Sequence, residues 1–394
     1  MYAGMSNPPS RQHSDLICLS HLRWAFVFQR PQHLMTRFAR ERRCYYVEEP
    51  LYDADGAASL ELRAADGLTI VTPHLRRDTS PAAAVAMQRH LLDGLISGEA
   101  IEHFVLWYYT PMALPFTRHL EPDAVVFDCM DELSAFAHAP RELLALEDEL
   151  MHRASVVFTG GHSLYDAKRE RHPNVHVFPS SVDVAHFARA REDRQDPDDQ
   201  KGIGRPRIGF FGVIDERMDL PLLAGVAAAR PDWHIVLIGP VVKIDPATLP
   251  AAANIHYLGQ KSYEDLPAYI AGWDVAIIPF ARNAATRYIS PTKTLEYMAA
   301  GKPIVSTSIC DVVHPYGEVG LVQIADDVEA FVAACEAAQT EAGISRLART
   351  DTFVRHTSWD RTWREMRAQL DRVTAVRAFV PAPRLTAPSL ADAI

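Results

Sequence analysis

Short apolar runs alternate with amphipathic stretches along almost the whole chain. In the first half the runs are DLICLS (15–20), RCYYVEE (43–49), LTIVTP (68–73), HFVLWYY (103–109), AVVFDCM (124–130), SVVFTG (155–160) and NVHVFP (174–179). Stretches such as PQHLMTRFARER, PAAAVAMQRHLLDGLI and RELLALEDELMHRA lie between them, with apolar positions at helical spacing. A run that is apolar at every position must be covered on both faces. Such runs separated by helices predict a parallel sheet with helices on either side.

From 188 to 206 the pattern stops. ARAREDRQDPDDQKGIGRP is charged, carries Pro and Gly, and reads as an interdomain linker. A second alternating unit follows, with RIGFFGVID (207–215), HIVLIGP (234–240), NIHYLG (254–259), DVAIIPF (274–280), PIVST (303–307) and LVQI (321–324) as its strands. The expected organisation is an α/β fold of two domains, 1–187 and 207–358, joined by the linker 188–206. A helix over 359–378 and a loose tail over 379–394 complete it. Ligands of open parallel sheets sit beyond the carboxyl ends of the strands, so two such sheets with those ends facing each other would form a cleft.

Composition narrows the function classes. With 394 residues and 48% hydrophobic content, each half can build a core. A net charge of −10 argues against a general nucleic-acid binder, which needs a basic surface to neutralise phosphates. The five cysteines (Cys18, Cys44, Cys129, Cys310, Cys335) are scattered and no pair has metal-ligand spacing, so neither a disulfide framework nor a zinc site is expected. The N-terminus is polar and no apolar run is long enough to span a bilayer. The chain reads as cytosolic, with peripheral attachment to a membrane left open.

The richest segment is NAATRYISPTKTLEYMAAGKPIVST, 283–307. Ser290 is placed as an N-cap and Pro291 as the first helical residue. Leu295, Met298 and Ala299 share one apolar face, and Gly301 and Pro303 end the helix before a buried strand. Thr292 and Lys293 then stand in the first turn. A cation there opposes the helix dipole by roughly 0.3–1 kcal/mol, so Lys293 makes sense if an anion binds and meets the ammonium and the exposed N–H groups together. Glu296, one turn on, can accept from vicinal hydroxyls such as those of a ribose. Spacing alone fits a solvated Lys293–Glu296 ion pair equally well.

SPTKTLEYMAAGKPIV resembles the donor-binding helix of retaining glycosyltransferases with two Rossmann-like domains facing across a cleft, the GT-B fold, where P-x-K-x-x-E-Y-x-A-x-G-K-P recurs. RIGFFGVIDERMD resembles the first strand and turn of their C-terminal domain, and NIHYLGQKSYEDLPAYIAGWDVAIIPF their nucleobase-side loop and next strand. LSHLRWAFVFQRPQHLM and VVFDCMDELSAF resemble a bacterial subgroup tied to cell-surface polysaccharides, including teichuronic-acid-type transferases. The resemblance implies a nucleotide-sugar donor, a UDP-sugar before a GDP-sugar, and a glycan or lipid-linked glycan acceptor. It also implies retention of configuration, and a C-terminal helix carrying Trp359 and Trp363 that packs back toward the first domain. Many such enzymes carry two glutamates in the donor segment. The second matches Glu296, whereas the first position holds Tyr288.

Other positions complete the expected site. Gly212 ends the first strand of the second unit and permits close approach to a diphosphate. Arg217 offers a second cation near the leaving nucleotide, although Asp215, Glu216 and Asp219 crowd it. Gly259 closes NIHYLG, with Lys261 and Tyr263 toward the nucleobase by resemblance. On the acceptor side Asp131 and Glu132 follow a strand end beside Asp128, and clustered carboxylates can raise one another's pKa and act as a base. Trp24 could stack on a sugar, Arg30 could bind an anion, and His21 and His162 could contact acceptor or phosphate. The roles expected to carry chemistry fall to Asp131, Lys293 and Arg217. No Asp-x-Asp metal signature stands in a suitable loop, so no metal and no other cofactor is expected. Two alternatives stay open: a nucleotide-sugar epimerase or hydrolase, and a non-catalytic nucleotide-sugar binder. An NAD(P) oxidoreductase is disfavoured because G-x-G-x-x-G follows neither opening strand.

Overall fold

The structure, a computed structural model, describes residues 13–137, 139–192, 195–340 and 343–379. Two sheets divide the chain. The first contains β1 (Asp15–Leu19), β2 (Cys44–Val47), β3 (Leu51–Ala54), β4 (Ser59–Ala65), β5 (Leu68–Arg76), β6 (Phe104–Tyr108), β7 (Ala124–Cys129), β8 (Val156–Thr159) and β9 (Val175–Val177). Their order is β3-β5-β2-β1-β6-β7-β8-β9, with β4 antiparallel on β5 and every other pairing parallel. The second contains β10 (Arg207–Phe211), β11 (His234–Ile238), β12 (Ile255–Tyr257), β13 (Val275–Ile278), β14 (Ile304–Ser306) and β15 (Gln323–Ile324), all parallel, in the order β12-β11-β10-β13-β14-β15. The order reverses between β1 and β6 and between β10 and β13. Those are the switch points where crevices open.

Alternation along β1 shows why both faces had to be apolar. Leu16 and Cys18 enter one core while Ile17 and Leu19 enter the other, on opposite sides of one sheet. Each apolar run of the sequence becomes a strand. The pair β3 and β4 carries no such run: its residues are mostly exposed, so no core face marked it. Four of the five cysteines are buried thiols and Cys310 is exposed.

The segment over 188–206 is not a loose tether. Val182, Phe187 and Ala190 belong to the core of the second domain. Arg191 donates to the Ala299 carbonyl at 2.7 Å. Gln200 is wholly buried, donating to Tyr269 O at 3.0 Å and accepting from Trp273 Nε1 at 3.0 Å. Satisfied buried polar groups of this kind fix the segment to the C-terminal domain, so the crossover lies earlier than 188. The helix Trp359–Phe379 returns to the first domain, where Trp359, Trp363, Met366 and Leu370 join its core and Trp359 stacks on His33 at 4.5 Å. The expected tail beyond it lies outside the described residues.

Candidate active site

The helix Thr292–Ala299 begins one residue later than its sequence suggests. Pro291 is the N-cap, and no side chain caps the first turn. Its inner face (Leu295, Tyr297, Met298, Ala299) is buried, and the Tyr297 hydroxyl accepts the Phe211 N–H at 3.1 Å, tying the helix to the end of β10. Lys293 therefore projects at the switch point. Its Nζ lies 5.4, 5.8 and 6.0 Å from the ring centroids of Phe210, Phe280 and Phe211. Gly212, the next residue after β10, has φ +138, and a Cβ there would stand 2.7 Å from Nζ. The glycine serves both backbone and space. Glu296 is 7% exposed and accepts from Thr292 Oγ1 at 3.2 Å.

Thr292, Lys293 and Glu296 line one cavity of about 400 Å³ with Gly212, Gly239, Pro240, Gln260, Lys261 and Tyr263. The far wall is the N-terminal loop Trp24 to Gln29. Trp24 Nε1 donates to Asp66 at 2.8 Å, the Gln260 side-chain amide donates to Phe26 O, and the Phe28 ring lies 4.6 Å from Tyr263. The cavity is thus interdomain. Burial lowers the Lys293 ammonium, opposed by Glu296 and reinforced by Arg217. Burial raises the Glu296 carboxyl, opposed by Lys293 and the Thr292 hydroxyl. Burial thus moves the two groups toward each other in pKa, and a ligand that supplies countercharge or hydrogen bonds favours the charged form of each.

A second cavity of about 470 Å³ adjoins the first, sharing Phe26, Val27, Gln29, Val213 and Arg217. His21, Arg23, Glu49, Asp131, Phe136 and Lys243 line it. Burial raises the Asp131 carboxyl; Arg217 offsets this and Asp215 adds to it. Burial and then Lys243 push His21 down to about 4, and its Nδ1 has no hydrogen-bond partner among the described residues. Arg217 stands between the two cavities, bidentate on Asp215 (2.9 and 2.7 Å) and 5.7 Å from the Phe136 ring. The two other carboxylates that crowd it in sequence are occupied elsewhere. Glu216 accepts the Ala137 N–H of the first domain at 3.0 Å, and Asp219 caps the helix Leu220–Ala229.

A cation, an uncapped helix start and a buried carboxylate in one interdomain cleft agree with comparisons to known proteins. Residues 205–340 match the family of glycosyl transferases group 1. This region is a group 1 glycosyl transferase domain. The Bacillus subtilis (strain 168) protein TuaH, assigned to teichuronic acid biosynthesis as a glycosyltransferase, is 26% identical over 312 residues, 72% of this chain and 71% of that protein. Sucrose-phosphate synthase from Thermosynechococcus elongatus superposes with a TM-score of 0.68 at 12% identity, covering 92% of this chain and all of that one. HepE from Anabaena, in complex with UDP and glucose, gives 0.63 at 12% identity, covering 91% of this chain and all of that one. The fold is GT-B.

Several expected residues stand elsewhere in the structure. Arg30 is not an anion site facing the cleft. It is 3% exposed, holds the fully buried Asp128 through Nη2 at 2.8 Å and Nε at 3.1 Å, and donates to Phe178 O at 2.7 Å. A buried carboxylate needs that partner, and Asp128 cannot be reached from the cleft. Glu132 is likewise taken, by Lys168 Nζ at 2.6 Å and Ser134 Oγ at 2.6 Å. His162 is exposed at the start of the helix His162–Lys168 and is not among the described residues lining either cavity. Ser290 does not cap: its carbonyl accepts from Ser180 Oγ of the first domain at 3.0 Å. Gly259 is exposed and is not among the described residues lining the first cavity; its carbonyl accepts the Gly239 N–H at 2.9 Å. Trp24 lines the first cavity but is only 7% exposed and packs edge-on to Tyr46. Tyr288 packs against the N-terminal core rather than lining the cavity. Lys243 and Gln29 line the cleft although nothing in the sequence marks them, and Gln260 lines it from the loop that the resemblance sets toward the nucleobase. Lys243 lies in a loop without periodicity, and Gln29 is the N-cap of the helix Arg30–Phe38.

Proposed function

We propose that this protein transfers a glycosyl unit from a nucleotide-diphosphate sugar, a UDP-sugar before a GDP-sugar, to a hydroxyl of a glycan or lipid-linked glycan in cell-surface polysaccharide synthesis. The observation that carries the reading is the convergence of Lys293, Gly212 and the uncapped start of Thr292–Ala299 on one cavity that also holds Glu296. Charge accumulates on the leaving diphosphate as the bond to the anomeric carbon breaks. The Lys293 ammonium and the first-turn N–H groups meet that charge without a metal, while Arg217 adds hydrogen-bond donors with its own charge balanced by Asp215. Glu296 holds the ribose hydroxyls. The acceptor lies in the adjoining cavity, where Asp131, its carboxyl raised by burial, takes the proton of the attacking hydroxyl. Retention of configuration, supported by the donor-helix resemblance, belongs to the same reading and requires the hydroxyl to enter on the face from which the diphosphate leaves. Work at the inner face of a membrane, by peripheral contact, fits a lipid-linked acceptor. Among the described residues no helix is long and apolar enough to cross one.

The relatives support the donor class by what they hold: HepE was solved with UDP and glucose, and an E. coli neighbour with UDP-2-fluoro glucose. Calorimetric titration of UDP, GDP, CDP, ADP and TDP into wild type and Glu296→Ala, without added metal, tests the reading. UDP binding that weakens in the variant is expected. No binding by any of the five would sink it. Rapid release of UDP from donor alone, with no acceptor, would favour a hydrolase instead.

A further inference from the structure

Two glycines follow β8, and they face different neighbours. A Cβ on Gly160 would stand 2.5 Å from the Met130 carbonyl, inside the N-terminal domain. A Cβ on Gly161 would run into Asp311 Oδ2 and stand 2.8 Å from Ser290 Cβ, both in the C-terminal domain. Gly161 has φ −167 and ψ 170, extended backbone open to any residue. Space, not conformation, is what its hydrogen provides, and only the other domain demands that space.

The same seam carries directed contacts. Asp311, 4% exposed, accepts the Ser163 N–H through Oδ1 at 3.0 Å. Ser163 lies in the first turn of His162–Lys168, whose own N-cap is Gly161 and which has no side-chain cap within its domain. One domain thus supplies the missing cap of the other. Asp311 Oδ2 and Ser163 Oγ are buried without a partner among the described residues. Burial of unpaired polar atoms opposes closure, and opening would hydrate them. Ser180 Oγ adds its bond to the Ser290 carbonyl, directly before the N-cap Pro291.

We propose that Gly161, Ser163 and Asp311 form a reversible clasp that seats the two domains in the closed arrangement. With Ser180 on Ser290 it fixes the start of the helix that carries Lys293 and Glu296. Gly161 is a positioning residue, matched in shape to Asp311. Its effect on turnover rests on the donor-site reading above; its effect on domain closure does not.

X-ray solution scattering with and without saturating UDP, on wild type, Gly161→Ala, Asp311→Phe and the double variant Gly161→Ala/Asp311→Ala, tests the clasp. Wild type should reach the radius of gyration of this closed structure. Gly161→Ala should stay expanded in both conditions. Turnover should fall on the order of 100-fold, the cost of slight misplacement of reacting groups. Asp311→Phe fills the same gap from the other side and should expand the protein likewise, which keeps the test decisive if Gly161→Ala does not fold. The double variant should recover part of the compaction, a coupling that a role confined to the N-terminal domain would not produce. A Gly161→Ala or Asp311→Phe protein as compact as wild type overturns the clasp. So does a wild type that never compacts, or a double variant no more compact than Gly161→Ala. If UDP does not bind wild type, the donor-site reading fails, and the scattering of the free chains still decides the clasp.

Discussion

The ammonium of Lys293 lies over Gly212, 2.7 Å from where a Cβ on that glycine would stand. The two residues come from a helix start and a strand end that meet at the switch point of the second sheet. Gly212→Ala would strain a backbone at φ +138, at about 1–3 kcal/mol, and would also displace the lysine. UDP affinity should fall at least about tenfold while uridine affinity changes little. Equal losses for both ligands would show that the glycine serves the fold alone.

Lys293 and Glu296 should separate by ligand. Lys293→Ala removes a charge-assisted contact worth about 1.5–3 kcal/mol, so UDP should weaken roughly 10- to 100-fold and uridine hardly at all. Glu296→Ala should weaken both to a similar degree. Calorimetry on the four pairs checks this; unchanged UDP affinity in both variants removes the donor site.

Donor binding should depend on pH from both sides. The free Lys293 ammonium is lowered by burial, and a diphosphate favours its charged form. Binding above neutral pH therefore takes up a proton, and UDP affinity falls as pH rises. The free Glu296 carboxyl is raised by burial, so it protonates early on acidification and loses the charge that draws the ribose hydroxyls. Affinity should peak near neutrality, and Lys293→Met should keep only the acid arm. Titrations in two buffers of different ionisation enthalpy read the proton uptake directly; a flat profile contradicts the assignment.

Arg30 should prove structural. Arg30→Met strands the fully buried Asp128 and should cost about 3–5 kcal/mol of stability. Urea unfolding would show the loss, with UDP affinity of the folded fraction intact. A variant as stable as wild type but weak for UDP would return Arg30 to the cleft.

Asp131 should act on turnover alone. Asp131→Asn keeps shape and removes the proton acceptor, so kcat should fall about 10²–10⁴-fold with donor affinity unchanged. A loss confined to donor binding would place this carboxylate on the wrong side of the reaction.

Much of this was legible before the fold. Apolar runs such as HFVLWYY and DVAIIPF announced strands because both faces of each sheet are covered. β3 and β4 escaped because neither buries a continuous face. Lys293 stood out because a cation in a first helical turn is unfavourable unless something anionic comes to it. Arg30 was misread for a related reason. It begins a helix after a strand, like an anion site, yet its partner Asp128 lies 98 residues away and only sheet order brings them together.

The sequence by itself determined the two α/β units, the apolar interiors and the helix that sets Lys293 and Glu296 one turn apart, because these depend on periodicity and on residues within one or two turns. Tertiary structure decided which carboxylates remain free. Asp128 and Glu132 are held in ion pairs, whereas Asp131 is left in the cleft. It also decided that 188–206 belongs to the second domain, and that Gly161 must lack a side chain because Asp311 arrives from across the seam. Burial and pairing depend on neighbours distant in sequence, and no local pattern encodes them.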